Sequence, residues 1–263
     1  MNDATIRSGS HRVTNDVIFE LITSRITADS RVLDFGAGRG HMCQRLGNYF
    51  SQQGRDPAGR LTPCEIVPEA FEYRQVPCRK IDVNSEIPVA DGSQDLIYAI
   101  EVLEHVPRPY DFFLEAGAKL RPGGFLIFSV PNALHLKSRL QFLLTGYADM
   151  FGPPSTDDKN AGRICGHIMP LSFPYFVYGL KRSGFLDVEF YSDRMKRSSL
   201  FLTVLFYPLL WVAAVMNDRA LKKYDAAVWR ENRELVWRVN RLDVLSSRSC
   251  VVVARKADST SDG

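Results

Sequence analysis

The sequence of 263 residues lacks several features that would place it in a specialised class. Its five cysteines are scattered, with no Cys-x-x-Cys pair and no metal-like pairing with histidine, so we expect reduced thiols in a cytosolic protein and no metal. A net charge of +3 gives no argument for nucleic acid, and no basic-aromatic stripe supports such a partner. Residues 1–14 are polar, so we expect no secretory signal. The length suits one large α/β domain, or one domain with a sizeable insertion, and the composition is that of a globular protein.

A glycine-rich segment, VLDFGAGRGH, follows the first strand-like run. Gly36, Gly38 and Gly40 alternate, and His41 stands where the dinucleotide fingerprint G-x-G-x-x-G has its last glycine. Asp34 would repel a pyrophosphate, but its carboxylate suits a cationic amino-acid moiety. S-adenosylmethionine (SAM) has such a moiety and no phosphate. The segment therefore predicts a turn that binds SAM, and it disfavours the alternative of a nicotinamide-dependent oxidoreductase.

Helix-like and strand-like patterns alternate along the chain. The predicted helices cover 13–26, 41–53, 109–120, 134–144 and 174–182, with a short one beginning at Pro68. The predicted strands cover 32–35, 61–67, 78–83, 94–100, 125–130, 185–191 and 250–254, and 121–124 is predicted to be a turn. This alternation implies a parallel, doubly wound sheet that binds ligands at the carboxyl ends of its strands.

With these motifs in this order, the chain resembles the class I SAM-dependent methyltransferases, in the group that includes small-molecule, quinone and glycan methyltransferases. The resemblance is strong over residues 31–132 and weaker after residue 184. It implies an α/β, Rossmann-like fold with a seven-stranded, mostly parallel sheet, an antiparallel last strand and helices on both faces. The motifs that carry it are VLDFGAG (32–38), Glu65, Asp82, DLIYAIEVLEH (95–105), LRPGG (120–124) and FSVPN (128–132).

The resemblance also implies a role for each motif residue in binding the cofactor SAM. The turn between Gly54 and Gly59 lengthens the spacing from the glycines to Glu65, which weakens the assignment of Glu65. The implied cofactor residues are Asp34, Gly36, Ala37 and Gly38 at the methionine end, Glu65 at the ribose hydroxyls, Asp82 and Val83 at the adenine, and Glu101 beside the methionine moiety.

A base is required only if the methyl acceptor must lose a proton, as a hydroxyl would. His105, after the fourth strand, and His167, after a loop at 146–166 that we expect to cover the site, are the candidates for catalysis. A structural role remains the alternative for both. We expect His41 at a helix N-terminus and His135 on a helix surface.

The predicted domain organisation is a core at 1–193, an insertion at 194–248, a final strand at 249–256 and a disordered tail at 257–263. Within the insertion, residues 200–216 form the longest apolar run, with basic residues on both sides. Three interpretations stay open: an interfacial membrane segment bent at Pro208, a subunit interface or substrate lid, and a true membrane span. A charged helix is predicted at 224–239.

These observations predict a SAM-dependent methyltransferase that is cytoplasmic and peripheral on the inner face of a membrane. The expected acceptor is a small molecule, a lipid-linked glycan or a quinone-type lipid, methylated on oxygen. A non-catalytic SAM-binding or membrane-tethered scaffold protein remains the main alternative. The sequence leaves the acceptor and the oligomeric state open.

Overall fold

The computed structural model of the protein describes residues 5–82, 87–157, 166–195 and 197–258. Its strands are β1 (Val32–Phe35), β2 (Leu61–Glu65), β3 (Arg79–Lys80), β4 (Gln94–Ile100), β5 (Leu120–Pro131), β6 (Phe185–Ser192) and β7 (Ser249–Lys256). Its α-helices are α1 (Arg12–Thr23), α2 (His41–Gln52), α3 (Pro109–Lys119), α4 (Leu136–Thr145), α5 (Phe173–Arg182), α6 (Arg197–Tyr224), α7 (Ala226–Arg238) and α8 (Leu242–Ser246). Short 3-10 helices lie at Pro57–Gly59, Pro68–Ala70 and Leu103–His105.

The strands form one sheet in the order β3-β2-β1-β4-β5-β7-β6. The pairs from β3 to β5 are parallel, and β7 is antiparallel to its neighbours, which confirms the predicted fold class. The chain runs outward from β1 to β3 and resumes at β4 on the other side of β1. Such a reversal opens a crevice at the carboxyl ends of the two central strands, where ligands bind in this class of sheet.

The third strand is shorter than the sequence predicts. A strand was expected over 78–83, and the described part of it is only Arg79–Lys80. Both residues are exposed and pair with β2 alone, because β3 is the edge strand. An edge strand gains hydrogen bonds on one side only, so the pattern of apolar residues overstated its length.

The fifth strand is longer than predicted, because the expected turn at 121–124 lies within it. Leu120 pairs with Gln94, whereas Phe125 pairs with Leu96. The intervening residues therefore form a bulge in β5, with the backbone of Gly123 in the left-handed region (φ 74°). The proline and glycines of this segment interrupt the ladder without ending the strand.

The chain divides into two compact units. The first comprises 1–130, 177–189 and 251–263, and the second comprises 131–176 and 190–250. The insertion predicted at 194–248 lies within the second unit. Part of the predicted cover loop, 158–165, and most of the predicted tail, 259–263, fall outside the described residues.

The first unit contains the central strands and their aromatic core. All four residues of β1 are buried, as expected for the middle of a sheet that is covered on both faces. The ring of Phe35 lies 4.7 Å from that of Phe112 on α3, and Phe113 stacks on Phe128 of β5 at 5.5 Å. These contacts hold α3 against β1 and β5 of the sheet.

The second unit contains a helical hairpin made by α6 and α7. The apolar run of the sequence is part of α6, which continues through Pro208 as one helix of 28 residues. By length and composition, α6 could cross a membrane. Asp218 of α6 accepts hydrogen bonds from the indoles of Trp229 (3.0 Å) and Trp237 (3.1 Å) on α7, so the two helices are held together by a partly buried polar contact as well as by packing.

Candidate cofactor site

The turn between β1 and α2 requires its glycines. Gly36, Gly38 and Gly40 have φ values of 81°, 52° and 91°, a region that side chains rarely adopt. A Cβ atom on Gly36 would lie 2.4 Å from Cγ2 of Val102, so the backbone passes close to the segment after β4. By contrast, no atom lies within 4 Å of a Cβ position on Gly38. The turn therefore presents open space at Gly38, where a ligand can approach the backbone.

The turn is fixed to the end of β2 by backbone hydrogen bonds. The N–H groups of Gly36 and Ala37 both donate to the carbonyl oxygen of Cys64, at 2.9 and 3.0 Å. These two donors are therefore used within the fold. The carbonyl oxygens of the turn are acceptors, which suit an ammonium group and do not suit a phosphate.

Glu65 ends β2 and contacts the glycine turn directly. Its Oε2 accepts a hydrogen bond from the Gly38 N–H at 2.7 Å, and its Oε1 accepts from the Ile66 N–H at 2.8 Å. The turn at 54–59 therefore accommodates the long spacing in the sequence between the glycines and Glu65. Each carboxylate oxygen can accept a second hydrogen bond, so the pair fits the two hydroxyls of a ribose.

Asp34 is 4% exposed and belongs to a polar cluster that sequence reasoning missed. Its Oδ2 accepts hydrogen bonds from the Tyr98 hydroxyl at 2.7 Å and the Cys43 thiol at 3.2 Å. Burial raises the pKa of Asp34 to about 7, the charge of Glu65 adds to this rise, and the two hydrogen bonds oppose it. Burial also raises the pKa of both donors well above the usual value, so they keep their protons. The sequence gives Tyr98 no signal of its own, because only the register of β1 and β4 places it opposite Asp34.

Asp82 follows β3 and is exposed. The N–H of Ile81 donates to the carbonyl oxygen of Glu65 at 3.1 Å, which holds the segment of Asp82 at the carboxyl end of β2. Val83, the predicted partner of the adenine, lies outside the described residues. The segment of Asp82 thus lies beside Glu65, the predicted ribose ligand, although the two residues are far apart in the sequence.

Glu101 follows β4 with its backbone in the left-handed region (φ 54°). Its N–H donates to the carbonyl oxygen of Ser129 at 3.0 Å, which ties this strained residue to β5. A non-glycine residue in this region costs about 1–3 kcal/mol and is found most often at functional sites. Glu101 directly follows β4 and so lies at the crevice between β1 and β4, while its contact with the methionine moiety stays a prediction.

His105 ends the 3-10 helix after β4 and is half-buried. Its neighbour Glu104 is 1% exposed, and burial, together with the charge of Glu101, raises the pKa of Glu104 to about 8. The sequence motif included Glu104 without giving it a role. The histidine therefore lies in the same unit as the predicted cofactor residues, next to a carboxyl group that holds its proton at neutral pH.

His167 belongs to the second unit. Its Nδ1 lies 2.8 Å from the carbonyl oxygen of Met150, and its ring contacts Phe151 at 5.6 Å. A carbonyl oxygen only accepts, so Nδ1 carries the proton and Nε2 carries the basic lone pair. Met150 itself has a left-handed backbone (φ 73°), so a strained loop residue orients this histidine.

The other two histidines of the sequence analysis have structural roles. His41 begins α2, as predicted, and its Nδ1 contacts the carbonyl oxygen of Ile6 at 2.7 Å. The prediction of a surface position for His135 is wrong, because His135 is 1% exposed. It caps α4 and contacts Asp149 (3.1 Å) and Ser199 (3.2 Å), so its polar groups are satisfied inside the second unit.

The profile of a family described as "Methyltransferase domain" matches residues 11–168, which is more than half of the chain. The chain belongs to this methyltransferase family. The predictions of the family, of the fold and of SAM as the cofactor are thereby confirmed, and the nicotinamide-dependent alternative falls.

The alignments with curated relatives cover less than half of this methyltransferase. It is 33% identical over 113 residues to a malonyl-[acyl-carrier protein] O-methyltransferase of Hahella chejuensis, covering 40% of this chain and 38% of that protein. It is 29% identical over 128 residues to a ubiquinone biosynthesis O-methyltransferase of Xanthomonas euvesicatoria pv. vesicatoria, covering 45% and 50%. The chain thus spans half or less of the length of these curated relatives.

Among solved structures, an S-adenosylmethionine-dependent methyltransferase from Mesorhizobium loti resembles this chain with a TM-score of 0.53. The superposition covers 94% of this chain and 99% of that chain, at 15% sequence identity. A likeness at this identity establishes the shared fold, which includes the second half of the chain, where the sequence motifs end.

Proposed function

We propose that this methyltransferase transfers the methyl group of SAM to an oxygen atom of a small-molecule acceptor in the cytoplasm. The observation that carries the proposal is the turn at Gly38, which is open to a ligand and bonded to the Glu65 carboxylate at the carboxyl ends of β1 and β2. Both relatives described above are named O-methyltransferases, which supports oxygen as the methylated atom.

When bound, SAM supplies an electrophilic methyl group on a sulfonium. The chain's part is to bind the two ends of the molecule and to keep water from the methyl group. In this proposal the buried Asp34 carboxylate compensates the charge of the ammonium, and the carbonyl groups of the glycine turn accept its hydrogen bonds. The cofactor residues are Asp34, Gly36, Ala37 and Gly38 for the methionine end, Glu65 for the ribose, Asp82 and Val83 for the adenine, and Glu101 beside the methionine moiety.

A hydroxyl acceptor must lose its proton as its oxygen bonds to the methyl carbon and the carbon–sulfur bond breaks. We assign the proton acceptor to His105, because it lies at the end of β4 in the same unit as the cofactor residues. His167, with its tautomer fixed by Met150, is the second candidate. The electron pair of the broken bond goes to sulfur, so S-adenosylhomocysteine leaves without a charge on sulfur.

We propose further that the acceptor is a quinone-type or lipid-linked molecule. One relative is named for ubiquinone biosynthesis, which supports a quinone-type or lipid-linked acceptor. An acceptor of this kind is held in a membrane, so the proposal places the enzyme on the inner face of a membrane.

Thermal unfolding with SAM, S-adenosylhomocysteine and NAD tests the cofactor. A ligand at a hundred times its Kd adds about 2.7 kcal/mol, so we expect the first two to raise Tm by several degrees and NAD to leave it unchanged. Release of S-adenosylhomocysteine with a panel of quinol and other hydroxyl acceptors then tests turnover. A raised Tm without release from any acceptor would instead support a non-catalytic SAM-binding protein.

Replacing Gly38 with Ala is expected to weaken SAM binding at least tenfold, because the new methyl group would occupy the space open to the ligand. Gly54→Ala is the matched control, since Gly54 also has a positive φ (71°) and no atom within 4 Å of its Cβ position. Both substitutions should cost about 1 kcal/mol of stability through backbone strain. Calorimetric titration with SAM and denaturant unfolding separate the two effects, and equal SAM affinities in the two variants would contradict the site.

Replacing Glu65 with Gln is expected to weaken binding of both SAM and S-adenosylhomocysteine about tenfold, because one charged acceptor of the ribose hydroxyls is lost. Glu69→Gln, four residues away in a short 3-10 helix and exposed, serves as the control. Titration of each variant with adenosine would locate the loss, since adenosine contains the ribose and lacks the methionine moiety. If adenosine binding were unchanged by Glu65→Gln, the assignment to the ribose would be wrong.

A further inference from the structure

The helix α6 exposes apolar side chains along most of its length. We call the exposed set the outer stripe, and each of its side chains is about half exposed or more. The outer stripe consists of Phe201, Val204, Leu205, Tyr207, Leu209, Trp211, Val212 and Met216. A surface helix of a soluble protein normally turns such residues toward the core. An apolar surface of this kind marks an interaction site.

The opposite side of α6 is the one that packs. Ser199, Thr203 and Ala214 are its buried residues, and they lie on the other face of the helix from Phe201 and Leu205. Their small and polar side chains contact the interior of the second unit, where Ser199 contacts His135 and Thr203 bonds back to Ser199. The helix is therefore oriented with its small residues inward and its large apolar residues outward.

Basic residues bracket the outer stripe on the same face. Arg197 precedes Phe201 by four residues, and Arg219 and Lys223 follow Met216 by three and seven, so all of them share one side of the helix. All three cations are exposed. An apolar stripe with cations at both ends matches the boundary between acyl chains and anionic head groups.

A span across the bilayer conflicts with the packing of α7. The charged helix α7 packs along α6, and its indoles bond to Asp218. If α6 crossed the bilayer, α7 would carry its own charges toward the hydrocarbon, where charged side chains are costly. These charged residues are Arg230, Glu231, Arg233 and Glu234. The apolar run of residues 200–216 also covers only about 25 Å, less than the hydrocarbon thickness of about 30 Å.

We propose that the outer stripe is a docking surface for an anionic lipid bilayer, with α6 lying in the plane of the interface. The apolar side chains enter the acyl boundary, the bracketing cations meet anionic head groups, and α7 remains on the aqueous side. This surface works independently of methyl transfer, so its test requires neither SAM nor an acceptor.

Flotation of the full chain with vesicles tests the docking. We expect binding to phosphatidylcholine vesicles that contain phosphatidylglycerol, and weak binding to phosphatidylcholine alone. Leu205→Gln with Leu209→Gln should abolish flotation, whereas Leu114→Gln, an exposed leucine of α3, should not change it. Arg219→Gln with Lys223→Gln should lower partitioning roughly tenfold or more, and Arg7→Gln with Arg12→Gln, equal in charge change, should have a much smaller effect.

The fluorescence of Trp211 tests the orientation of α6. Trp211 is near the middle of the apolar run, and the other two tryptophans of the chain are held by Asp218. The difference in fluorescence between wild type and Trp211→Phe therefore isolates Trp211. We expect vesicles to shift its emission to the blue, and lipids brominated near the head group to quench it more than lipids brominated near the chain end. Stronger quenching from the chain end would show a span and overturn the proposal.

A protein partner is the remaining outcome. If no vesicle floats the protein and the wild type elutes as a dimer that Leu205→Gln with Leu209→Gln converts to a monomer, the outer stripe is an interface between two copies. Failure to float together with a monomeric wild type would likewise refute lipid docking. Neither result would touch the proposed methyl transfer, because SAM binding is measured separately on the same protein.

Discussion

Replacing Asp34 with Asn is expected to lower the affinity for SAM about a hundredfold at pH 8 and to abolish the pH dependence of binding. The Asp34 carboxyl is buried among the Tyr98 hydroxyl and the Cys43 thiol, and burial raises its pKa to about 7. A cationic ligand binds the ionised form, so it must displace the proton below this pH. Wild-type affinity should therefore fall about tenfold for each pH unit below 7 and level off above it.

The same substitution is expected to stabilise the protein in the absence of ligand. The pKa of Asp34 is higher in the folded state, about 7, than its ordinary value of 3.8, so the folded state holds the proton more tightly between these values. Its contribution is fully present below pH 3.8 and is lost as pH rises toward 7. A difference of about three pKa units corresponds to roughly 4 kcal/mol as an upper bound. Denaturant unfolding at pH 5 and pH 8 should show the asparagine variant losing less stability over this range.

Two controls separate the site from general effects of charge. Asp111→Asn removes an exposed acid of α3 and should leave the pH dependence of SAM binding intact. S-adenosylhomocysteine shares the ammonium group and lacks the sulfonium charge, so its binding should show the same pH dependence. A pH-dependent affinity that persists in Asp34→Asn would show that another group titrates, and Asp34 would not be the residue that meets the cation.

Replacing His105 with Gln is expected to lower kcat by about a hundredfold to ten-thousandfold, the usual contribution of a general base, for an acceptor that must lose a proton. SAM affinity should stay within about twofold of wild type, because the histidine acts on the acceptor. Release of S-adenosylhomocysteine, measured with the best hydroxyl acceptor of the panel, reports kcat, and calorimetric titration reports SAM affinity. His11→Gln, an exposed histidine before α1, is the control.

His167→Gln is the second arm of this experiment. If kcat falls in His167→Gln and not in His105→Gln, the base is His167 and our assignment is wrong. An acceptor with a more acidic hydroxyl should depend less on the base, so the loss in His105→Gln should shrink with such an acceptor. A loss that is the same for all acceptors would indicate that His105 positions the site and does not take the proton.

Much of the cofactor site could be predicted because its determinants are local in sequence. The bounds of β1 and β4 agree with the prediction to the residue, and Gly36, Gly38 and Glu65 lie where the motifs placed them. A buried parallel strand is a short apolar run, and a glycine turn with positive φ values requires glycine itself. Both features can therefore be recognised in a single sequence.

Contacts between distant residues had no such signal. The side chain of Asn132 donates to the carbonyl oxygens of Val244 (2.7 Å) and Ser247 (3.0 Å), more than a hundred residues away. His135 was wrongly expected at the surface for the same reason. A polar residue is buried when the fold supplies its partners, and the sequence does not show which residues those are.

The sequence by itself determined the family, the strand–turn–helix that we propose as the cofactor turn, and the acids in or after the first four strands. The tertiary structure alone decided that Asp34 is buried with Tyr98 and Cys43, which sets its pKa, and that α6 turns its large apolar side chains outward. The reason is the distance along the sequence between the residues that interact. A turn is fixed by the residues within it, whereas a pKa and an exposed helix face depend on neighbours that only folding brings together.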